Sequence, residues 1–549
     1  MTKMRKFIIA GALVVSSVAL VGFVRQPDIY FLIKKNFTIF SEVYREVSLH
    51  YVDDVDPEKL MRKGINAMLE SLDPYTVLID ESQNQNMEII TRGSYGGVGL
   101  DVGFRSGKIV VIAPIEGYSA HKKGIRSGDV ITAVNGVSVV QMAPDEVQDL
   151  TTGEPGTQVT LTVERYGIDH PLTFELERQR IEVKNVAYAG LVGDQADVGY
   201  ILLSRFSQNS GEEIRKAIEQ LRSEADLSGL ILDLRNNPGG LLDEAVSTVD
   251  KFVPQGQVVV ETRGRLSQHN NTFRTKEKPM APKLPLVVLQ NGGSASASEI
   301  VAGALQDLDR AVIMGEQSFG KGLVQIVQPL SYNTALKITT SRYYIPSGRS
   351  IQSITYTHDS KNSAVEKPDS LKKSFETRNG RTVYDGDGIA PDIRVQTPSP
   401  SLLQTSLLQQ SRFFDFANEY AANHESLGIE YGSKALYEDF KAFLRRHNFD
   451  YETPSERYLS RIDSTLNLSG EKSHKHIAAL EERIEVHKEQ AFDNERDQIQ
   501  KQLYLELVAR YKGEKGQTAA SLPYDRFVQQ AVNMLHNSGR YNDILNITQ

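Results

Sequence analysis

Two stretches of this chain share one design, and that design restricts the fold more than any other feature. Leu230-Ile-Leu-Asp-Leu-Arg-Asn-Asn-Pro-Gly-Gly240 is an apolar run stopped by a Pro-Gly-Gly turn, with an amphipathic segment, Leu241 to Phe252, behind it. Leu284-Pro-Leu-Val-Val-Leu-Gln290 is a second such run, stopped by Asn291-Gly-Gly293. Ala297 to Leu308 then carries Ile300, Ala304, Leu305 and Leu308 at helical spacing. Short apolar runs bounded by turn residues read as buried strands. Each stretch therefore predicts a strand, a tight turn and a helix, the building unit of a mixed α/β core. At 549 residues the chain exceeds what one core supports, so a multidomain α/β protein is expected.

The second turn also carries chemistry. Ser296 falls at the start of its helix, where unpaired backbone N–H groups favour developing negative charge. The N–H of Ala297 can there stabilise an oxyanion. Phe319-Gly-Lys-Gly-Leu-Val-Gln325 supplies a lone lysine, Lys321, from a glycine turn. A serine hydroxyl needs a base to become a nucleophile, and a lysine becomes one when burial disfavours its ammonium form. Backbone N–H groups of Gly239 or Gly240 would complete an oxyanion hole, because glycine lets the backbone approach a ligand closely. Each turn also has a plainer reading: a serine-capped helix start for the one, a simple strand-to-helix turn for the other.

Competing chemistries find less support. His269 and His358 fall in polar, loop-like sequence and His474 and His476 in a charged helical stretch, so a Ser-His-Asp triad is disfavoured. No His-Glu-x-x-His segment or clustered ligand pattern occurs, so no metal or other cofactor is expected. The absence of cysteine excludes a thiol nucleophile and a disulfide framework, and a net charge of −8 with no basic block argues against nucleic acid as a partner.

Several ordered motifs together resemble one family. Asp233-Leu-Arg-Asn-Asn-Pro-Gly-Gly240, Gly293-Ser-Ala-Ser-Ala-Ser-Glu299, Gly315-Glu-Gln-Ser-Phe-Gly-Lys-Gly-Leu-Val-Gln325 and Tyr344-Ile-Pro-Ser-Gly-Arg-Ser-Ile-Gln352 follow the order of the carboxyl-terminal processing peptidases, or tail-specific proteases. Leu72-Asp-Pro-Tyr-Thr76 and Asp385-Gly-Asp-Gly-Ile-Ala-Pro-Asp392 are similar to that family at either end, so the resemblance spans residues 36 to 397. It implies a crotonase-like core, Ser296 as nucleophile, Lys321 as general base and Gln325 as the residue holding the lysine. Asp307 matches an acidic position grouped with the catalytic residues. A carboxylate beside Lys321 would make it a poorer base, so anchoring the helix that bears Ser296 is the other role open to Asp307. Glu299 reads as a dipole-stabilising residue and not as part of the chemistry.

Upstream, Gly97-Val98-Gly99-Leu100 resembles the carboxylate-binding loop of PDZ domains, and Gly124-Ile-Arg-Ser-Gly-Asp-Val-Ile-Thr-Ala-Val-Asn-Gly136 resembles a PDZ core segment. Such a loop aims backbone N–H groups at a terminal carboxylate while the peptide adds to a sheet edge. Residues Met142 to Leu150 would line the groove. Protein or peptide substrates with free C-termini are the implied partners.

The remaining expectations concern layout and location. Lys3, Arg5 and Lys6 precede an uncharged, mostly apolar stretch, Phe7 to Val24, at the lower limit for spanning a bilayer. Residues 1–25 are thus a signal peptide or, preferably, an inner-membrane anchor, and the rest is exported to the cell envelope, periplasmic or extracytoplasmic. A small helical domain (36–92), a β-rich PDZ domain (93–166), a serine protease core (167–397) and a helical C-terminal region (400–549) follow. The last leaves a homo-oligomer contact, an adaptor site or a cap over the active site open. A catalytically silent PDZ scaffold is the alternative function. It is disfavoured because Ser296, Lys321 and Gln325 all stand in place.

Overall fold

The computed structural model describes residues 29–80, 93–105, 107–356, 364–396, 399–466 and 471–547. The expected N-terminal membrane segment lies outside the described residues. Among the described residues no helix is long and apolar enough to cross a membrane. The chain divides into two compact units, residues 1–78 and 79–549.

The first unit contains α1 (Ile29–His50) and α2 (Pro57–Glu70). Asp56 caps α2 by accepting from the Lys59 N–H at 3.1 Å, and Pro57 takes the first helical position, where its missing N–H costs nothing. The Tyr44 hydroxyl donates to the Pro57 carbonyl at 3.0 Å, which pins the two helices together.

The second unit opens with an antiparallel sheet. Its main path runs β1 (Leu100–Arg105), β2 (Lys108–Pro114), β3 (Val130–Val134), β4 (Gln158–Glu164) and β5 (Leu172–Glu177), with helix α3 (Pro144–Thr151) beside β1. Strand β4 buries Val159, Leu161 and Val163 and turns the residues between them outward, the alternation of a half-covered sheet.

A second sheet follows from β6 (Val186–Val192), β7 (Val198–Leu203), α4 (Ser210–Glu224), β8 (Gly229–Asp233), α5 (Leu242–Asp250), β9 (Leu286–Gln290), α6 (Ala297–Asp307) and β10 (Val312–Gly315). A hairpin of β11 (Leu323–Pro329) and β12 (Ala335–Tyr344) belongs to a separate sheet, and β13 (Ile393–Arg394) closes the edge of the main one. The main order is β6-β7-β8-β9-β10-β13, with β6 antiparallel to β7 and every other pair parallel. Parallel strands covered on both faces read as unbroken apolar runs, which is why Leu286 to Leu289 shows no alternation. Leu230, Leu232, Leu286, Val288 and Ile313 face α4, α5 and α6.

The opposite face is covered from far along the chain. Past β13 come α7 (Leu402–Gln409), α8 (Arg412–Asn423), α9 (Lys434–Arg446), α10 (Pro454–Leu466), α11 (Glu471–Asn494), α12 (Arg496–Ser521), α13 (Arg526–Leu535) and α14 (Ser538–Ile544). Helices α7 to α9 and α12 share a core built on Leu407, Phe416, Phe440, Phe443, Ile499 and Leu503. By contrast Phe527, Val528, Ala531, Leu535 and Tyr541 pack on Tyr200, Ile231, Val287, Leu289 and Met314 of the main sheet. The packing therefore crosses the boundary drawn at 397–400. The apolar stripe of α13 and the bare second face of the sheet each need cover, and they supply it to one another.

Helices α8 and α12 also meet the antiparallel sheet. Tyr166 donates to Glu419 at 3.0 Å, and Gly128 packs directly against the Asn418 side chain.

Candidate active site

Strands β8 and β9 run parallel, so the turns after them emerge at the same edge, where ligands bind in sheets of this kind. These two turns are laced together. Asn236 N–H donates to Asn291 Oδ1 and Asn291 Nδ2 donates back to Asn236 Oδ1, both at 2.9 Å. The Asn237 carbonyl accepts from Ala295 N–H at 3.1 Å and from Ser298 Oγ at 2.9 Å, while Ser294 Oγ donates to the Leu234 carbonyl at 2.8 Å.

Ser296 sits at the tip of the second turn, half-buried, with φ 55° and ψ −112°. L-residues rarely adopt that conformation, and a strained strand-to-helix turn of this shape is how other hydrolases present a nucleophile. Small neighbours on both sides, Ser294, Ala295, Ala297 and Ser298, let the turn close. Gly239 approaches so closely that a Cβ there would lie 2.8 Å from Ala297 N and 2.9 Å from Ser296 Cβ, at φ +100°. Only glycine fits.

The two glycines proposed for the oxyanion hole are not equivalent. The Gly239 N–H donates to Asn237 Oδ1 at 2.9 Å, so in this conformation it is not available to a ligand. Among the described residues no acceptor engages the N–H of Gly240 or of Ala297. Of the two glycines that the sequence leaves open, Gly240 is the one whose N–H is uncommitted alongside that of Ala297. The cause is a side chain reaching back two residues along the turn, which spacing does not reveal.

Glu299, read from sequence as stabilising the helix N-terminus, does more than that. Its carboxylate is fully buried and accepts four hydrogen bonds: from Ser296 N–H at 2.8 Å, Ser318 Oγ at 2.6 Å, Gly320 N–H at 2.6 Å and Lys321 N–H at 2.9 Å. It thus ties the backbone of Ser296 to that of Lys321. Burial pushes its carboxyl up to about 7, against the lowering effect of those same bonds. On the other side the buried Tyr343 hydroxyl lies against the Ser296 carbonyl at 3.2 Å and against the Lys321 carbonyl. With one proton it donates to one of them at a time. Ser296 and Lys321, 25 positions apart in sequence, are therefore held together at their N–H groups by Glu299, with the Tyr343 hydroxyl set between their carbonyls.

The other expected site residues divide. Gln325 donates from Nε2 to Thr339 Oγ1 at 3.2 Å, its cross-strand neighbour in the β11–β12 hairpin. Asp307, at the far end of α6, commits Oδ1 to Arg349 and Oδ2 to the Ser347 N–H, both at 2.9 Å. Burial raises its carboxyl, and the Arg349 charge opposes the rise. Anchoring, the second of the two roles considered, fits this geometry. At the peptide-binding loop the Val98 carbonyl accepts from Ala120 N–H at 3.0 Å and that of Gly99 from Ile115 N–H at 2.9 Å. Across a trans peptide the N–H groups of Gly99 and Leu100 then point the other way, away from those partners.

Comparison with known proteins decides the class. Residues 197–361 match the profile of "Peptidase family S41", residues 110–165 that of a "PDZ domain", and residues 403–535 that of a "Probable PDZ-protease, C-terminal helical domain". A "Carboxy-terminal-processing protease" of Bartonella bacilliformis is 42% identical over 328 residues, covering 59% of this chain and 74% of that protein. The chain belongs to the carboxy-terminal-processing proteases of peptidase family S41. A "Probable CtpA-like serine protease" of Staphylococcus aureus is 29% identical over 470 residues, 82% of this chain and 85% of its own. The solved photosystem II D1 C-terminal processing protease is 28% identical, covers 69% of this chain and 96% of its own, and superposes with a TM-score of 0.34.

As a carboxy-terminal-processing protease the chain is a serine-type peptidase with a PDZ domain and a helical C-terminal domain. Two residues of its active-site turns were not credited from sequence. Glu299, three residues after Ser296, stands at a capping-box position, which signals the bond to the Ser296 N–H but not the three other bonds. Tyr343 gave no signal, since a tyrosine in a strand reads as core.

Proposed function

We propose that this carboxy-terminal-processing protease is an exported endopeptidase that binds free C-terminal tails at its PDZ domain and cleaves by a Ser296/Lys321 dyad. The observation that carries the dyad is the Glu299 carboxylate, which accepts the N–H of both Ser296 and Lys321 and so holds the two backbones together. Neutral Lys321 Nζ takes the proton of Ser296 Oγ as that oxygen bonds to the substrate carbonyl carbon. The negative charge moves to the carbonyl oxygen, where the N–H groups of Ala297 and Gly240 receive it. The ammonium then protonates the leaving amine, the C–N bond breaks and an acyl-enzyme remains. Lys321, neutral again, removes a proton from water as the water oxygen bonds to the acyl carbon, and the ammonium returns that proton to Ser296 Oγ as the C–Oγ bond breaks and the acid leaves. Gln325, on the strand that follows Lys321, is the residue proposed to hold the lysine in place.

The Gly97–Leu100 loop is the proposed carboxylate cradle, with the tail added as a strand along β1 and its side chains toward α3. Residues 7–24 are the proposed anchor, placing everything after them on the exported side of the inner membrane. The test is incubation of the chain from Gln26 onward with an unfolded protein ending in an apolar residue. The expected result is cleavage that disappears in Ser296→Ala and Lys321→Ala and falls when the substrate's C-terminus is amidated. Cleavage indifferent to amidation would refute tail recognition, and cleavage by Ser296→Ala would refute the dyad.

A further inference from the structure

We infer that Asp525, from the C-terminal helical layer, is a positioning residue for the oxyanion turn and acts through Arg235. The inference rests on the proposed oxyanion role of the turn after β8. Arg235 opens that turn, directly before Asn236 and Asn237, which bind the turn of Ser296. Its guanidinium is held on three sides. Nε donates to both oxygens of Asp233, at 3.0 and 2.9 Å, and the Arg235 N–H also reaches Asp233 Oδ1 at 2.9 Å. A terminal nitrogen bridges Asp233 Oδ2 and Asp525 Oδ2, the latter at 2.8 Å across 290 residues of sequence. The cation also lies over the Phe527 ring, 4.9 Å from its centre.

Asp233 cannot do this alone. It is fully buried, and its Oδ2 also accepts from the Tyr200 hydroxyl at 2.8 Å. Among the described residues, Arg235 is the side chain that fastens the end of β8 to the start of α13 through an ion pair. Charge-assisted bonds of this kind hold direction as well as distance. Burial alone would lower the Arg235 pKa, yet the Asp233 charge and the bond to Asp525 carry it above its ordinary value.

Asp525 divides its two oxygens between two tasks. Oδ1 caps α13, accepting from Phe527 N–H at 2.8 Å and Val528 N–H at 3.4 Å, while Oδ2 takes Arg235. The same carboxylate therefore starts the helix that covers the sheet and steadies the arginine that starts the turn. An oxyanion hole loses much of its effect when a donor moves by a fraction of an ångström, so a looser Arg235 reaches Gly240 through Asn236 and Asn237.

The division of labour makes the inference testable. In Asp525→Asn, Oδ1 still caps α13, but the group facing Arg235 becomes an NH2 that cannot accept. Asp525→Ser likewise keeps a cap and loses the charge. Both variants are expected to show kcat reduced about tenfold or more with KM unchanged. Their melting temperature should stay within about 2 °C of the wild type. Amide hydrogen exchange should rise across residues 234–241 and not across 526–535. Unchanged kcat in both variants would overturn the inference. So would a fall in kcat that comes with a matching fall in melting temperature and faster exchange throughout α13, because that is simple loss of the helix. A Ser296→Ala control run alongside separates the two layers of argument: cleavage that survives it sinks the dyad reading, and this inference with it.

Discussion

The turns around Ser296 and the seam between the PDZ domain and α12 both bury ionisable groups, but only the first gives each one partners. Glu299 accepts four bonds, Asp307 meets Arg349, and Arg235 lies between Asp233 and Asp525. At the seam, all three side-chain nitrogens of Arg510 are buried without a hydrogen-bond partner among the described residues, and the cation rests on the Phe414 ring 4.7 Å away. Burial lowers its pKa to about 10, with the charges of Glu506 and Asp129 only partly opposing. Burial likewise raises the carboxyls of Glu506 on α12 and Asp101 on β1. Unpaired buried charge is costly, so a seam built this way parts at little expense, whereas the turns do not. The contrast puts the better-satisfied ionisable groups at the turns around Ser296 and the less satisfied ones at the seam.

The comparison breaks most visibly where the turns are cut. Arg349→Met strands the Asp307 carboxylate in the core and is expected to cost about 3–5 kcal/mol, read as a lower denaturant midpoint. Gly239→Ala places a methyl group against Ala297 N and should lower kcat by about 10²–10³ on any cleavable peptide, even in molecules that fold.

Glu299→Gln is a subtler break. The amide keeps one acceptor but turns an NH2 toward N–H groups, at a cost of about 1–3 kcal/mol. Its pH signature has a definite sign. The carboxyl is raised, so the ionised hub exists above about 7 and is lost as pH falls through that value, taking activity with it. Stability runs the other way. The folded state holds this proton more tightly than the unfolded chain does, so the group's contribution grows as pH falls from about 7 toward its ordinary value of 4.5. In the kcat–pH profile the variant should lose one ionisation from the acid limb.

The smallest effect belongs to the seam. Arg510→Met should leave stability unchanged or raise it by about 1–2 kcal/mol, with cleavage retained. A loss as large as that of Arg349→Met would show that the seam is as well satisfied as the turns and would erase the contrast.

What the sequence discloses follows the same division. Leu230–Leu232 and Leu286–Leu289 announce buried strands because both faces are covered, and the glycines after them announce close approach. Ser296 and Lys321 are legible because a strained turn and a lone lysine carry recognisable residue types. The rest depends on contacts that local pattern does not encode. Asn237 turning back to take the Gly239 N–H, Glu299 gathering donors from the later loop of Ser318 to Lys321, and Asp525 reaching Arg235 are products of tertiary packing. The use of α13 as the second face of the sheet is hidden likewise, since its apolar stripe states a need for a partner without naming one.

Activation of Ser296 by Lys321 is best tested by labelling with a fluorophosphonate and locating the adduct by mass spectrometry. Phosphonylation of Ser296 is expected, at a rate that rises with pH and collapses in Lys321→Ala. Labelling of another residue, or equal labelling of Ser296 without Lys321, would contradict it.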